Sequence, residues 1–296
     1  MKKYLIALMA VTLVAGCKKE SAVVGTSAAG DGTFILAVKG EAMPVGKIIE
    51  RDKKMELTDG EMTVNLQGKE MKGTTSITET HQEKVETLEN GKYRYSIIAD
   101  SKKQSTTMAG QVQDKPEEIS PLVGQMVVAE KGDDGVWTAK LESGEATAEM
   151  APGLEKIAKN LNEDLDFRIY GTEPRKVGDT WKVEGPDLMG MKGGAGTFNV
   201  KFEGIEDFQG VRCAKITGDI EITGTPDAEN ASGMKMTMKG DFVIFRSIKD
   251  RVDMQNTLTG TMEAKGDLEP QPGMTMRMEM LGNMVLKSGA KVSGLP

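Results

Sequence analysis

The chain has 296 residues, a formal charge of −7 and only 4% aromatic residues. An acidic chain with no basic cluster beyond Lys-Lys pairs argues against nucleic acid as a partner. Histidine occurs once, at His81, and cysteine twice, at Cys17 and Cys213, which excludes multi-histidine metal centres.

Lys2 and Lys3 form a basic start, and Tyr4 to Val14 is an almost unbroken apolar run. The run is too short to span a hydrocarbon core ~30 Å thick, so it reads as the apolar part of a signal peptide. It ends in Val14-Ala15-Gly16-Cys17, the pattern of a bacterial lipobox. Small residues before the cut admit the peptidase, and the Cys17 thiol accepts diacylglycerol. Residues 1–16 are thus a lipoprotein signal peptide, and Cys17 is the membrane contact. Each acyl chain contributes about 0.8 kcal/mol per buried methylene, so several chains hold firmly where one does not. Lys18 stands where an aspartate would favour inner-membrane retention, so the outer membrane is favoured in a Gram-negative host. Loss of Lys2 and Lys3 takes the charge from −7 to −9, so the anchor rather than the fold meets an anionic membrane. With Cys17 lipidated, Cys213 has no disulfide partner and reads as a small core residue. Residues 17–32 complete the anchor and a flexible tether.

Beyond the tether the dominant period is two. Phe198, Val200 and Phe202 alternate with Thr197, Asn199 and Lys201. Ile216, Ile220 and Ile222 oppose Thr217, Asp219 and Glu221, and Tyr93, Tyr95 and Ile97 oppose Lys92, Arg94 and Ser96. Such alternation predicts antiparallel strands with one buried face. Asp59-Gly60, Asn90-Gly91 and Asp134-Gly135 read as hairpin turns. One segment departs from this rhythm: Leu154, Ile157, Ala158, Leu161 and Leu165 recur at helical spacing behind Pro152, predicting a helix over about 152–165. Landmarks before it (Val45 to Ile49, Val85 to Gly91, Met126 to Trp137) recur in order after it (Val177 to Trp181, Ile205 to Gly210, Phe242 to Val252), which suggests an old duplication. The expected fold is mainly β: antiparallel curved sheets, in two duplicated halves at 33–150 and 171–290, a helix and connector at 151–170 between them, and a tail at 291–296.

Pro174 to Trp181, with the helix before it and the hairpin Phe242 to Met254 after it, resembles an uncharacterised domain-of-unknown-function family of bacterial lipoproteins of about this length. The shared features are the lipobox, a Pro-Leu-Val-Gly-like segment (Pro121 to Gly124) and the Val-Gly-Asp-Thr-Trp motif at Val177 to Trp181. The resemblance spans roughly residues 33–290 and implies kinship of fold and an envelope location. It carries over no catalytic residues. Trp181 itself reads as a core anchor at the start of a strand.

Enzyme signatures are missing. There is no Gly-x-Ser-x-Gly elbow, and His81, flanked by Thr80 and Gln82, reads as a solvated histidine on a polar strand. Ser288 to Lys291 has Ser-x-x-Lys spacing, but the Lys-Ser-Gly at Lys287 to Gly289 that would be its partner motif overlaps it. Gly190 to Gly196 lacks the phosphate-loop lysine and reads as a loop. A glycosidase-like carboxylate pair has no sequence signature, and the few aromatics disfavour a sugar cleft. No cofactor is implied.

Methionine is the unusual residue. There are 21, with Met234, Met236 and Met238, and Met274, Met276, Met278 and Met280, each alternating with polar residues; Met189 and Met191 form a third such pair. Three readings fit: a sheet face that fills its core with flexible side chains, an adaptable surface for an acyl chain, another apolar ligand or an envelope protein partner, or a soft thioether site for Cu(I) on neighbouring strands. Core is favoured, with no metal assigned and exposure near the rim. The function expected is a lipid-anchored, non-catalytic binding or structural module, with apolar-ligand carriage as the alternative. Replacing the acceptor thiol, Cys17→Ser, is expected to abolish uptake of a fatty-acid label and leave uncut precursor; label on the variant contradicts the anchor.

Overall fold

The computed structural model describes residues 32–38, 43–66, 68–186, 192–225, 233–271 and 274–294. Cys17, the tether to residue 31, and Met189 to Met191 lie outside these. Strands dominate: β1 (Ile48–Leu66), β2 (Lys69–Thr87), β3 (Tyr93–Met108), β4 (Gln111–Asp114), β5 (Glu118–Ile119), β6 (Met126–Lys131) and β7 (Trp137–Leu141) precede the helices. The helices are α1 (Ala151–Glu163) and α2 (Leu165–Tyr170), and β8 (Thr180–Pro186), β9 (Lys192–Phe208), β10 (Val211–Thr225), β11 (Gly233–Ser247), β12 (Asp253–Gln271) and β13 (Met274–Ser293) follow. All the strands join one antiparallel sheet in the order β7-β6-β3-β2-β1-β13-β12-β11-β10-β9-β8, with β4 and β5 on β3. At ~3.3 Å per residue, the 19-residue β1 and β2 are each about 60 Å long.

Two expectations change here. The halves are not separate sheets, because β13 returns to pair with β1 along nearly its whole length. Residues 291–293 are not a tail: Lys291, Val292 and Ser293 pair with Glu50, Ile49 and Ile48. Within that single sheet the two segments follow the same course, β1-β2-β3-β6-β7 and β8-β9-β10-β11-β12, each as a meander advancing in the same direction.

They also open on the same turn. Lys47 N–H donates to Pro44 O at 3.1 Å around Gly46, and Asp179 N–H donates to Lys176 O at 3.0 Å around Gly178. Both glycines have positive φ, +79° and +94°, as the third position of such a turn requires. Gly46 N–H then donates to Thr87 O, and Thr87 N–H returns to Lys47 O; Gly178 and Asp179 exchange the same pair of bonds with Phe202. The Asn90-Gly91 turn recurs at Gln209-Gly210, both with two successive positive φ values.

Asp59-Gly60 is not a hairpin. It is a bulge inside β1, where the register to both β2 and β13 shifts. Asp59 adopts φ +51°, so the dipeptide supplies left-handed backbone without reversing the chain. Its effect is on parity. Ile49, Met55 and Leu57 face inward before the bulge, and Val64 faces inward after it. A second bulge, at the register shift between Gln82 and Glu83, turns Ile98 outward and brings Asp100 onto the face that Tyr93, Tyr95 and Ile97 occupy. Likewise, residues 192–196, expected as loop, begin β9.

The helix expected over 152–165 breaks at Asp164. That residue takes φ +42°, ends α1, and caps α2 by accepting from Phe167 N–H at 3.3 Å. Leu154 and Leu161 press α1 onto a cluster with Tyr93, Tyr95, Val127 and Trp137. Asn162 fastens the contact by accepting from Trp137 N–H at 2.9 Å and donating to Trp137 O at 3.2 Å, completing backbone bonds of a strand at the sheet edge.

The larger cluster takes the inward faces of the central and second-half strands with Phe34, Leu36, Ile169 and Tyr170. Cys213 is fully buried. Trp181 is partly buried, with its indole N–H on Ile169 O at 2.8 Å and Arg175 stacked 4.5 Å from its ring. Buried Arg246 ties four segments together: it donates to Leu36 O at 2.7 Å, to Asp253 at 2.6 Å and to Asp166 at 2.8 Å, over the ring of Tyr170. Charge-assisted bonds of this kind hold a buried guanidinium that would otherwise be costly.

Close strand approach rests on glycines. A Cβ on Gly218 would lie 1.9 Å from Asn199 O and 2.6 Å from the Phe242 ring that covers it, whereas a Cβ on Gly204 meets nothing within 4 Å. Gly218→Ala is therefore expected to cost about 2 kcal/mol or more by urea unfolding, and Gly204→Ala less than about 0.5 kcal/mol. Equal costs would contradict this packing.

Candidate functional site

The methionines all but fill one end of the inner face. Met234, Met236, Met238, Met278 and Met280 are buried, at 8% exposure or less, together with Met262 and Met284. They share a cluster with Phe198, Phe202 and Ile220. Met276 is only partly buried, and the side chain of Met274, which begins β13, lies outside the described residues. Register explains how so many long side chains fit. One row across the sheet reads Gly224, Met236, Ala264, Met280, Met62, Gly73, Met108. Methionines lie beside glycine or alanine, over which an unbranched thioether can fold. The sulfur of Met108 sits 2.4 Å from where a Cβ on Gly73 would stand. Burial of each such side chain contributes roughly 1.5–3 kcal/mol.

This arrangement corrects one geometric premise. The strands holding Met234 to Met238 and Met274 to Met280 are not neighbours, because β12 lies between them. Met234 and Met278 flank Gly266, and Met236 and Met280 flank Ala264. The strand axes are therefore about 10 Å apart, and the two runs do not form the adjacent-strand donor set that a Cu(I) site was expected to need.

Among these methionines burial is lowest on β1, β2 and β3 and at Met276, while Met234 and Met278 stay buried in the row next to the same hairpin tips. Met62, Met71, Met108 and Met276 are partly buried against the cluster, close to where β1 turns into β2, β3 into β4 and β12 into β13. The helices and the Arg246 network occupy the opposite end.

A second constellation was missed. On the inner face of the first half, Lys53 (β1), His81 (β2) and Asp100 (β3) stand directly across from one another, and Arg51 stands across from Glu83 in the next row. His81 is not solvated: its side chain is 20% exposed, with Nε2 3.3 Å from Glu83 and Nδ1 3.4 Å from Asp100. Burial alone would lower the imidazole pKa, but the carboxylates of Asp100 and Glu83 hold it up at about 9. Arg51 meets Glu83 at 3.2 Å. Burial, reinforced by Lys156, pulls Lys53 down to about 7. Lys53, His81, Glu83, Asp100 and Lys156 line a cavity of about 50 Å³ beneath α1, closed by Ile97, Leu122, Gly153, Ile157 and Asn160. Gly153 lets the helix approach, since a Cβ there would lie 2.5 Å from Leu122.

The chemistry available is limited by protonation. A histidine that keeps its proton to about pH 9 is not a general base at neutral pH. It is a fixed cation between two carboxylates, and Lys53 is an amine that shares its proton with solvent near neutrality. The sequence did hold a signal. Arg51 and Lys53 occupy inward positions in the alternation Ile49, Arg51, Lys53, Met55, Leu57, and a charge in an inward register marks a buried polar site.

A pH dependence follows. The folded pKa of His81 is above its unfolded value of 6.5, so its stabilising contribution is full below pH 6.5 and disappears as pH rises through about 9. Lys53 works oppositely, since its folded pKa is below its unfolded value of 10.5, and folding gains as pH rises from about 7 towards 10.5. In a Lys53→Met background, the melting-temperature gap between His81 and His81→Asn proteins is expected to be largest below pH 6.5 and to close above pH 9. A pH-independent gap contradicts the ion-pair assignment.

No family model and no curated protein sequence matches the chain. Among solved structures it is similar to lipovitellin, described under lipid–protein interactions, with 11% identity and a TM-score of 0.37 over 86% of this chain. The chain spans only 26% of that one. It is also similar to OprB of Pseudomonas putida at low pH (9% identity, TM-score 0.25, 83% of this chain and 93% of that one). A DUF1329 family protein from Desulfovibrio piger is a third neighbour (11% identity, TM-score 0.13, 77% of this chain and 83% of that one). At these scores the likenesses carry no functional argument.

Proposed function

We propose that this protein is a lipid-anchored, non-catalytic module of the bacterial cell envelope that takes up an apolar ligand at the methionine-lined end of its sheet. Anchoring rests on Val14-Ala15-Gly16-Cys17 behind a basic and apolar start, with Lys18 favouring the outer membrane. Its Val-Gly-Asp-Thr-Trp motif, which resembles that of uncharacterised envelope lipoproteins, supports the location.

The observation that carries the ligand reading is the contrast in methionine burial. Met262, Met278 and Met284 are at most 2% exposed, which is solid core, while Met62, Met71, Met108 and Met276 form a partly open rim. A side chain that merely fills a core gains nothing from being half exposed. Flexible, polarisable thioethers at a rim adapt to acyl chains of varied shape. The non-catalytic reading rests on His81, the only histidine, being locked as a cation.

Two substitutions separate rim from core. Met236→Ala is expected to cost roughly 2–5 kcal/mol as a cavity mutation. Met276→Ala should cost less than about 1 kcal/mol, yet lower retention of acyl-chain species seen by native mass spectrometry of the protein beginning at Lys18. Losses below about 0.5 kcal/mol for both variants contradict the core. Absence of any bound apolar species in the unsubstituted protein contradicts uptake at the rim.

A further inference from the structure

The cavity beneath α1 is separate from the methionine end, and its lining is two-sided. Tyr95, Ile97, Leu122 and Ile157 are apolar walls; Lys53, His81 and Lys156 supply cations. The carboxylates there serve several cations at once, Lys53 among them. Glu83 holds Arg51 and His81, Asp100 holds His81 and a hydrogen bond from Ser120, and neighbouring Glu79 is bridged to Lys102 at 3.2 Å.

Five cationic side chains, Arg51, Lys53, His81, Lys102 and Lys156, thus share three carboxylates, Glu79, Glu83 and Asp100, in a protein whose net charge is negative. Lys53 is 7% exposed at the floor, while Lys156 stands exposed at the mouth. Two like charges facing one space repel, and an anion between them removes the repulsion. His81 Nε2 is also buried, 3.3 Å from Glu83 but without the alignment of a hydrogen bond.

We propose that this cavity binds a small aliphatic carboxylate, its carboxyl group between Lys53 and Lys156 and its alkyl group against Ile97, Leu122 and Ile157. Volume sets the size: about 50 Å³ holds a few waters or a group of comparable bulk, which suits an acid of two to four carbons. Lys53 fits the role of floor, since burial and Lys156 pull its pKa down to about 7 and a bound carboxylate would restore its charge. Inorganic phosphate offers more charge but nothing to the apolar walls.

The test is thermal unfolding of the full-length mature protein, followed by circular dichroism at pH 6.5 and constant ionic strength. Sodium acetate, butyrate, phosphate and chloride are titrated in turn. A ligand that binds only the folded state raises the melting temperature saturably. Acetate and butyrate are expected to do so and phosphate to do so less. Lys156→Ser, at the exposed mouth, should raise the apparent Kd at least tenfold, and Lys53→Met should abolish the effect. If Lys53→Met does not fold, Lys156→Ser decides alone. No saturable rise with either carboxylate overturns the site, as does an unchanged response in Lys156→Ser. A phosphate response equal to or greater than that of butyrate overturns the carboxylate assignment.

Discussion

The pairing of β1 with β13 is the contact on which the rest of the structure depends. It joins strands more than 200 residues apart in the chain and continues from Ile48–Ser293 to Leu66–Met276 with one shift at the bulge. Without it there would be two meanders, each with a long unpaired edge, the form most prone to wrong pairing. With it the sheet is continuous, the Arg51 and Lys53 positions of β1 lie inside it, and both clusters sit on one sheet. A contact of such sequence separation carries a high loop-closure cost before it is rewarded, so the hairpins on either side would be expected to form first.

A sheet with strands near 60 Å long must avoid overcrowding on its concave side. The chain manages this with small residues set beside long ones: Gly73 beside Met108 and Met62, Ala264 between Met236 and Met280, Gly266 between Met234 and Met278. Branched residues would fill the same surface more rigidly. Methionine, unbranched, bends over its neighbours. The same flexibility allows a face that is solid in its middle to remain adaptable at its rim, and that connects packing to the proposed function.

Much of this was legible from local pattern. The period-two runs at Thr197 to Phe202, Ile216 to Ile222 and Tyr93 to Ile97 lie in β9, β10 and β3, and their apolar members are buried. The helix was found from its spacing, though not its break, because Asp164 has no special sequence context for a left-handed residue. Asp59-Gly60 was misread because a dipeptide that accepts positive φ serves a bulge as well as a hairpin. His81 was misread for a different reason. Its environment comes from Lys53 and Asp100, opposite it in register but 28 and 19 positions away in sequence, and from α1 further on. Neighbours Thr80 and Gln82 say nothing of that. Cross-strand chemistry becomes readable only when register is known, and here two bulges change it.

The central claim is that one methionine face is packed at its centre and open to an apolar ligand at its rim. Oxidative footprinting with dilute peroxide, read methionine by methionine with and without an added fatty acid, tests it most directly. The account predicts slow oxidation of Met262, Met278, Met280 and Met284, faster oxidation of Met62, Met71, Met108 and Met276, and protection of the second group alone when the fatty acid is present. Uniform oxidation across both groups, or a rim whose rate the fatty acid leaves unchanged, would contradict it.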